Sequence, residues 1–184
     1  YVPEVVTPWM VVTVDDSDLS MWTRFHAELS QRSLRGTFAI DWDSAGTNPA
    51  LFVTQANLQA MYEYGHDISS HNRTNTAYPD ESPPTAQPND AARLTYCADF
   101  RYTRAIMRDL GWTRALGYHP FVQGAHDGAL VDAMKAHGMV VGRTTGPGHT
   151  EPFRASKQSV IRQRQLGSAF SLATARTWVD QANT

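Results

Sequence analysis

The chain has 184 residues, a formal net charge of −2 at pH 7, 41% apolar residues and 18% charged residues. Those values describe a single globular domain, residues 1–184, with a sizeable core, and exclude a disordered chain. The near-neutral charge offers no attraction to nucleic acid or to an anionic membrane, and no apolar run reaches the roughly 20 residues that cross a bilayer. Cys97 is the one cysteine, which excludes an internal disulfide and a thiolate-rich zinc site. No basic, apolar leader stands at Tyr1, so a targeting signal is expected to be removed or never present.

Strand-like and helix-like segments alternate along the chain. Trp9 to Val14 reads as a first strand that runs into Asp15-Asp16. Asp18 to Ser33 reads as a helix, with Asp18 as N-cap, Trp22, Phe25 and Leu29 at helical spacing, and Gly36 as the stop. A second strand, Gly36 to Ile40, ends at Asp41-Trp42-Asp43. Gln55 to Tyr64 is a helix with Thr54 as cap and Gly65 as terminator, and His66 to Ser69 is a short strand leading to His71. Tyr78 to Pro88, rich in Pro and Ser, is a loop.

Asn89 or Asp90 caps a long helix that ends near Leu110-Gly111. Arg114 to Tyr118 is a fourth strand ending at His119-Pro120, and Asp127 caps a helix closed by Gly138. Met139 to Val141 is a fifth strand ending at Gly142-Arg143. Ser159 to Arg164 is a candidate sixth strand, Leu172 to Gln181 a last helix, and Gly146 to Ser156 a candidate insertion. This order implies parallel strands joined by helices, in a sheet or a barrel.

Ionisable residues recur at the C-terminal ends of successive strands: Asp15 and Asp16, Asp41 and Asp43, His71, His119, Arg143. In parallel barrels that end carries the active site. The adjacent carboxylates admit two readings. One is an Asp-rich turn or cap; the other assigns one carboxylate to a metal and the other to proton transfer.

Several stretches are similar to the polysaccharide deacetylases of the NodB homology type, a carbohydrate esterase family (family 4) that removes acetyl groups from sugars. Thr13-Val14-Asp15-Asp16 resembles the first motif of that family, usually Thr-Phe-Asp-Asp, and Gly36-Thr37-Phe38 resembles its second strand. Gly65-His66-Asp67-Ile68-Ser69-Ser70-His71 is similar to its Gly-His-Glu-Ile-Gly-x-His stretch, and Pro120-Phe121, followed by the helix from Asp127, to its third motif. The resemblance spans Trp9 to Arg143. It implies a distorted, incomplete α/β barrel of the (β/α)7 TIM-like kind and one divalent cation, zinc first, with cobalt, nickel or manganese as alternatives. It also implies a polysaccharide substrate, N-acetylglucosamine-type glycan before O-acetyl xylan, and an extracellular or cell-envelope location. The protein is expected to be a monomer.

Carried over onto these positions, the resemblance implies Asp15 as general base, Asp16 and His71 as metal ligands, and the backbone N–H of Phe121 as oxyanion donor. The chain departs from the family in three places. Asn75 stands where a second histidine ligand is usual, and an amide oxygen is the weaker, harder donor. Tyr118-His119 replaces the arginine that usually orients the base, a role Arg143 on the next strand could fill as a bidentate partner of Asp15. No Leu-x-His motif for a general acid follows, so the chain is expected to stop short of it; His149 is the one histidine after Arg143, and His119 and His126 are substitutes near the rim.

Tyr118, His119 and Trp42 are candidate sugar contacts. Asp41 and Asp43 read first as turn residues and second as sugar contacts, and Cys97 as packing. The alternative to an enzyme is a carbohydrate-binding module on the same fold with degraded catalytic motifs. A sugar-phosphate or nucleotide enzyme is disfavoured by the lack of a Gly-rich phosphate loop.

Overall fold

The computed structural model of the protein describes residues 11–78, 90–144 and 160–162. Among these, six strands follow in chain order: β1 (Thr13–Val14), β2 (Thr37–Ile40), β3 (Asp67–Ser70), β4 (Tyr118–Pro120), β5 (Val141–Thr144) and β6 (Val160–Arg162). They form two all-parallel sheets, β1-β2-β3 and β4-β5-β6. β3 and β4 lie side by side where the two sheets meet. The result is an incomplete α/β barrel whose strands run in sequence order.

Side-chain alternation decides what each strand contributes. Val12 and Val14, Phe38 and Ile40, and Ile68 all join one apolar cluster with Leu58 and Met61 of α2 (Gln55–Tyr64) and with Trp112. The intervening residues, Thr13 and Asp15, Ala39 and Asp41, Ser69 and His71, therefore face the barrel interior. A second cluster packs Tyr96, Cys97 and Phe100 of α3 (Asp90–Asp109) against Phe121 and against Leu130 and Met134 of α4 (Gly128–Ala136). Cys97 is buried there, as its helical spacing implied, and burial raises its pKa.

The caps expected at Thr54 and Asp127 form, while the first helix has Ser20 and not Asp18 at its N-cap. Thr54 and Asn57 bond reciprocally at the start of α2, and Gly65 ends that helix at φ 112°. The Asp127 side chain accepts from Leu130 N–H at 2.6 Å. The first helix differs from expectation: Met21–His26 winds as a π-helix before α1 (Ala27–Gln31). In that wider winding Trp22 stacks on His26 at 4.6 Å.

Two strands start later than their sequence suggests. Arg114 lies in the turn before β4, its guanidinium 3.6 Å over the Tyr62 ring and bonded to Asp67 at 3.0 Å. Met139 donates to Met134 C=O at 3.0 Å, so it belongs to the exit of α4 rather than to β5. The last expected helix, the loop Tyr78 to Pro88 beyond its first residue, the insertion Gly146 to Ser156 and His149 lie outside the described residues.

Opposite the strand ends that carry Asp15 and His71, the fold is tied by histidines. Gly36 N–H donates to His66 Nδ1 at 3.1 Å, so the neutral His66 carries its proton on Nε2. That nitrogen lies 3.0 Å from His26 Nδ1, which accepts. Burial, followed by the charges of His26, Arg35 and Arg114, lowers the His66 pKa to about 4. The folded chain thus refuses a proton that the unfolded chain binds at about 6.5. This contribution is intact above pH 6.5 and is lost as pH falls towards 4, by about 3 kcal/mol. Urea denaturation from pH 7 to 4 should show this loss, and His66→Gln should flatten the slope; an unchanged slope in the variant would refute it.

Candidate active site

β1 ends at Val14, and the chain then turns sharply, with Asp16 at φ 82° and Ser17 at φ 60°. This left-handed turn separates the two carboxylates. Asp15 keeps the inward direction of the strand, and Asp16 swings up to the rim.

Asp15 meets Arg143. The guanidinium Nη2 of Arg143 donates to Asp15 Oδ2 across the barrel, and the side chains are 3% and 23% exposed, respectively. The pairing expected from strand-end positions forms, but through this single contact and not the bidentate one expected: Asp15 Oδ1 and Arg143 Nε have no hydrogen-bond partner among the described residues. Tyr118 lies beneath it: its hydroxyl engages Arg143 and Thr13, and burial raises its pKa to about 12. Tyr118 supports the ion pair from below instead of offering a sugar platform.

Asp16 Oδ1 lies 3.3 Å from His71 Nε2, and Asn75 Nδ2 reaches the same oxygen at 3.3 Å. The hydrogen bond from His71 leads the causes that lower the Asp16 pKa, against the opposing effect of burial. His71 Nδ1 lies 3.0 Å from Pro120 C=O. A carbonyl only accepts, so Nδ1 carries the proton; the Nε2 that faces Asp16 donates to it in the imidazolium and is a free lone pair in the neutral ring. That is the orientation a metal-ligating imidazole requires. No sequence signal pointed to the Pro120 carbonyl, because backbone groups leave no trace in residue type.

A carboxylate, an imidazole and a side-chain amide thus converge on one point. Asp16 and His71 are donors of the kind that hold a divalent cation, and Asn75 would join them only with its amide oxygen, in place of Nδ2, turned to that point. Among the described residues no three His, Cys, Asp or Glu side chains gather to hold a metal ion, and Asn75 turns its Nδ2 donor towards Asp16.

Three expected contacts take other positions. The Phe121 N–H donates to Arg143 C=O at 2.9 Å, continuing the β4–β5 ladder by one residue, so it is not a free oxyanion donor. His119 is 0% exposed, enclosed by the rings of Tyr96, Phe100 and Phe121, with Tyr96 Oη 3.2 Å from its Nε2. Burial, then the charge of His71, lowers its pKa well below the usual range, and no sugar reaches it. Trp42 follows the alternation of Phe38 and Ile40 and packs on Trp112, ring centroids 6.0 Å apart, on the helix side of the sheet. Asp43 pairs with Arg73 at 3.1 Å, and Asp41 accepts from Ser44 Oγ at 2.6 Å, as turn residues do.

No family model and no curated protein matches the sequence. Solved structures do match the fold. The de-N-acetylase from Aggregatibacter actinomycetemcomitans superposes with a TM-score of 0.74 at 15% identity, over 91% of this chain and 74% of its own. The Streptococcus pyogenes deacetylase PplD, in complex with acetate, gives 0.71 at 14%, over 91% and 68%. The BpsB deacetylase domain from Bordetella bronchiseptica gives 0.66 at 17%, over 83% and 69%. The chain therefore has the fold of the polysaccharide deacetylases.

Proposed function

We propose that this protein is a metal-dependent hydrolase that removes acetyl groups from an acetylated polysaccharide, an N-acetylglucosamine-type glycan before O-acetyl xylan. The observation that carries the reading is the pairing of two constellations at one strand end: Asp15 on Arg143, and Asp16 facing His71 Nε2. The likeness in fold to a de-N-acetylase and to a deacetylase that holds acetate supports it. The complete seven-unit barrel and an extracellular or cell-envelope location belong to the same proposal.

Arg143 fixes the Asp15 carboxylate through Oδ2 and leaves Oδ1 without a hydrogen-bond partner among the described residues. Oδ1 is the atom that takes the proton as water attacks the acetyl carbonyl. Asp16, His71 and Asn75 would hold a divalent cation, which supplies Lewis-acid polarisation of that carbonyl and a lowered pKa for the attacking water. Pro120 keeps His71 in the ligating tautomer. Charge developing on the carbonyl oxygen needs a donor other than the Phe121 N–H.

A second reading, a carbohydrate-binding module, is favoured by that committed N–H and by Asn75. Acetate release from an acetylated glucosamine oligomer separates the two. The enzyme should release acetate, lose the activity to chelator and regain it with added Zn²⁺ or Mn²⁺. Glycan binding without release would establish the module.

A further inference from the structure

β2 lies between the strands that end at Asp16 and at His71, and it ends at Asp41. The β2–β3 ladder runs one step past the strands, with His71 N–H donating to Ile40 C=O at 2.9 Å. On the other side Ser17 Oγ donates to Asp41 C=O at 2.9 Å. Asp41 is thus flanked by the turn that carries Asp16 and by His71. By alternation with Trp42, which packs on the helix side, its side chain is directed to the interior with Asp15 and His71.

Asp41 is 3% exposed. Its Oδ2 accepts from Ser44, while its Oδ1 is buried without a hydrogen-bond partner among the described residues. None of the ion pairs among the described residues includes it: Arg143 is matched to Asp15, and Arg73 to Asp43. A buried carboxylate with one oxygen unmatched is costly unless a donor or cation compensates it. Asn72, which follows His71 and accepts from the Trp42 N–H through its carbonyl, is 1% exposed and likewise has its Oδ1 unmatched among the described residues.

Asp16 is the one anion of the proposed ligand trio, beside a neutral imidazole and a neutral amide. A divalent cation there is under-compensated, and a second carboxylate one strand away, in a low-dielectric interior, restores the balance. We propose that Asp41 supports cation binding from outside the ligand trio, its Oδ1 accepting a hydrogen bond from a water at the cation site. It offsets the charge and affinity that Asn75, in place of an imidazole, leaves out. The inference rests on the metal reading above.

Calorimetric titration of Zn²⁺ and Mn²⁺ into the metal-stripped chain tests it. Asp41→Asn keeps an acceptor for Ser44 and removes the charge, and it should raise Kd by about 10- to 100-fold. Ser44→Ala should leave Kd within about twofold, and Asn75→His should tighten Zn²⁺. Thermal unfolding in chelator gives the second readout. Removing an unmatched buried charge should leave Tm of Asp41→Asn equal or higher, while the cation-induced rise in Tm shrinks. An unchanged Kd, or a Tm lowered in chelator with the cation-induced rise intact, would make Asp41 a turn residue only and overturn the proposal. A wild-type chain that takes up neither cation overturns both this inference and the metal reading beneath it.

Discussion

Asp15→Asn should lower acetate release by about 100- to 10,000-fold, the range over which a positioned general base acts. The substitution suits the test because the amide oxygen still accepts from Arg143, so the cross-barrel contact survives while the proton acceptor is gone. Cation affinity should stay near wild type, since Asp15 is not among the atoms that converge on Asp16 Oδ1. Turnover within tenfold of wild type would remove Asp15 from the chemistry. It would leave the pair with Arg143 as a structural tie.

Arg143→Met should act on stability and on turnover together. It leaves the Asp15 carboxylate and the Tyr118 hydroxyl without their shared partner in the interior. Breaking a buried pair costs about 3–5 kcal/mol. Asp15 retains 23% exposure, so the lower end, about 3 kcal/mol, is expected. Urea denaturation measures it. Arg143→Lys separates positioning from charge: an ammonium restores the ion pair but not the planar fork, so stability should recover more than turnover does. Equal recovery of both would assign Arg143 to folding alone.

Much of the fold was legible because local chemistry and tertiary outcome agree. Thr54 with Asn57, Gly65 and Asp127 mark helix ends through contacts made within a few residues, so residue type is sufficient there. The same held for the order of strands and helices. Boundaries set by distant partners were not legible. Arg114 reads as a strand start, yet the Tyr62 ring and Asp67 hold it in a turn. Met139 reads as strand, yet its N–H closes a helix. The π-helical winding before α1 leaves no periodicity distinct enough from an α-helix to be read in advance.

For the site the division is similar. That Asp15, Asp16, His71 and Asn75 lie together was expected from motif and spacing, and the place of Arg143 from the end of its strand. Aromatic and imidazole side chains beside them misled, because side-chain type does not reveal the face of the sheet. His119 and Trp42 occupy the helix side, one position out of phase with the interior. The Phe121 amide misled because its role depends on whether the ladder to Arg143 continues past Pro120.

The sequence by itself determined the alternation of strands and helices, the carboxylate pair at the end of the first strand and the histidine at the end of the third. Those follow from hydrophobic period, capping chemistry and residue type, which act over a few neighbouring positions. Only the tertiary structure decided that the two carboxylates part company through a left-handed turn. It alone set Arg143 against Asp15, a contact across 128 positions of sequence. It also turned Nε2 of His71 towards Asp16 by way of a backbone carbonyl, and it buried Asp41 on the strand between them. Each of these depends on which strands become neighbours and which face each residue presents, and both are fixed by the pairing of the strands and the meeting of the two sheets.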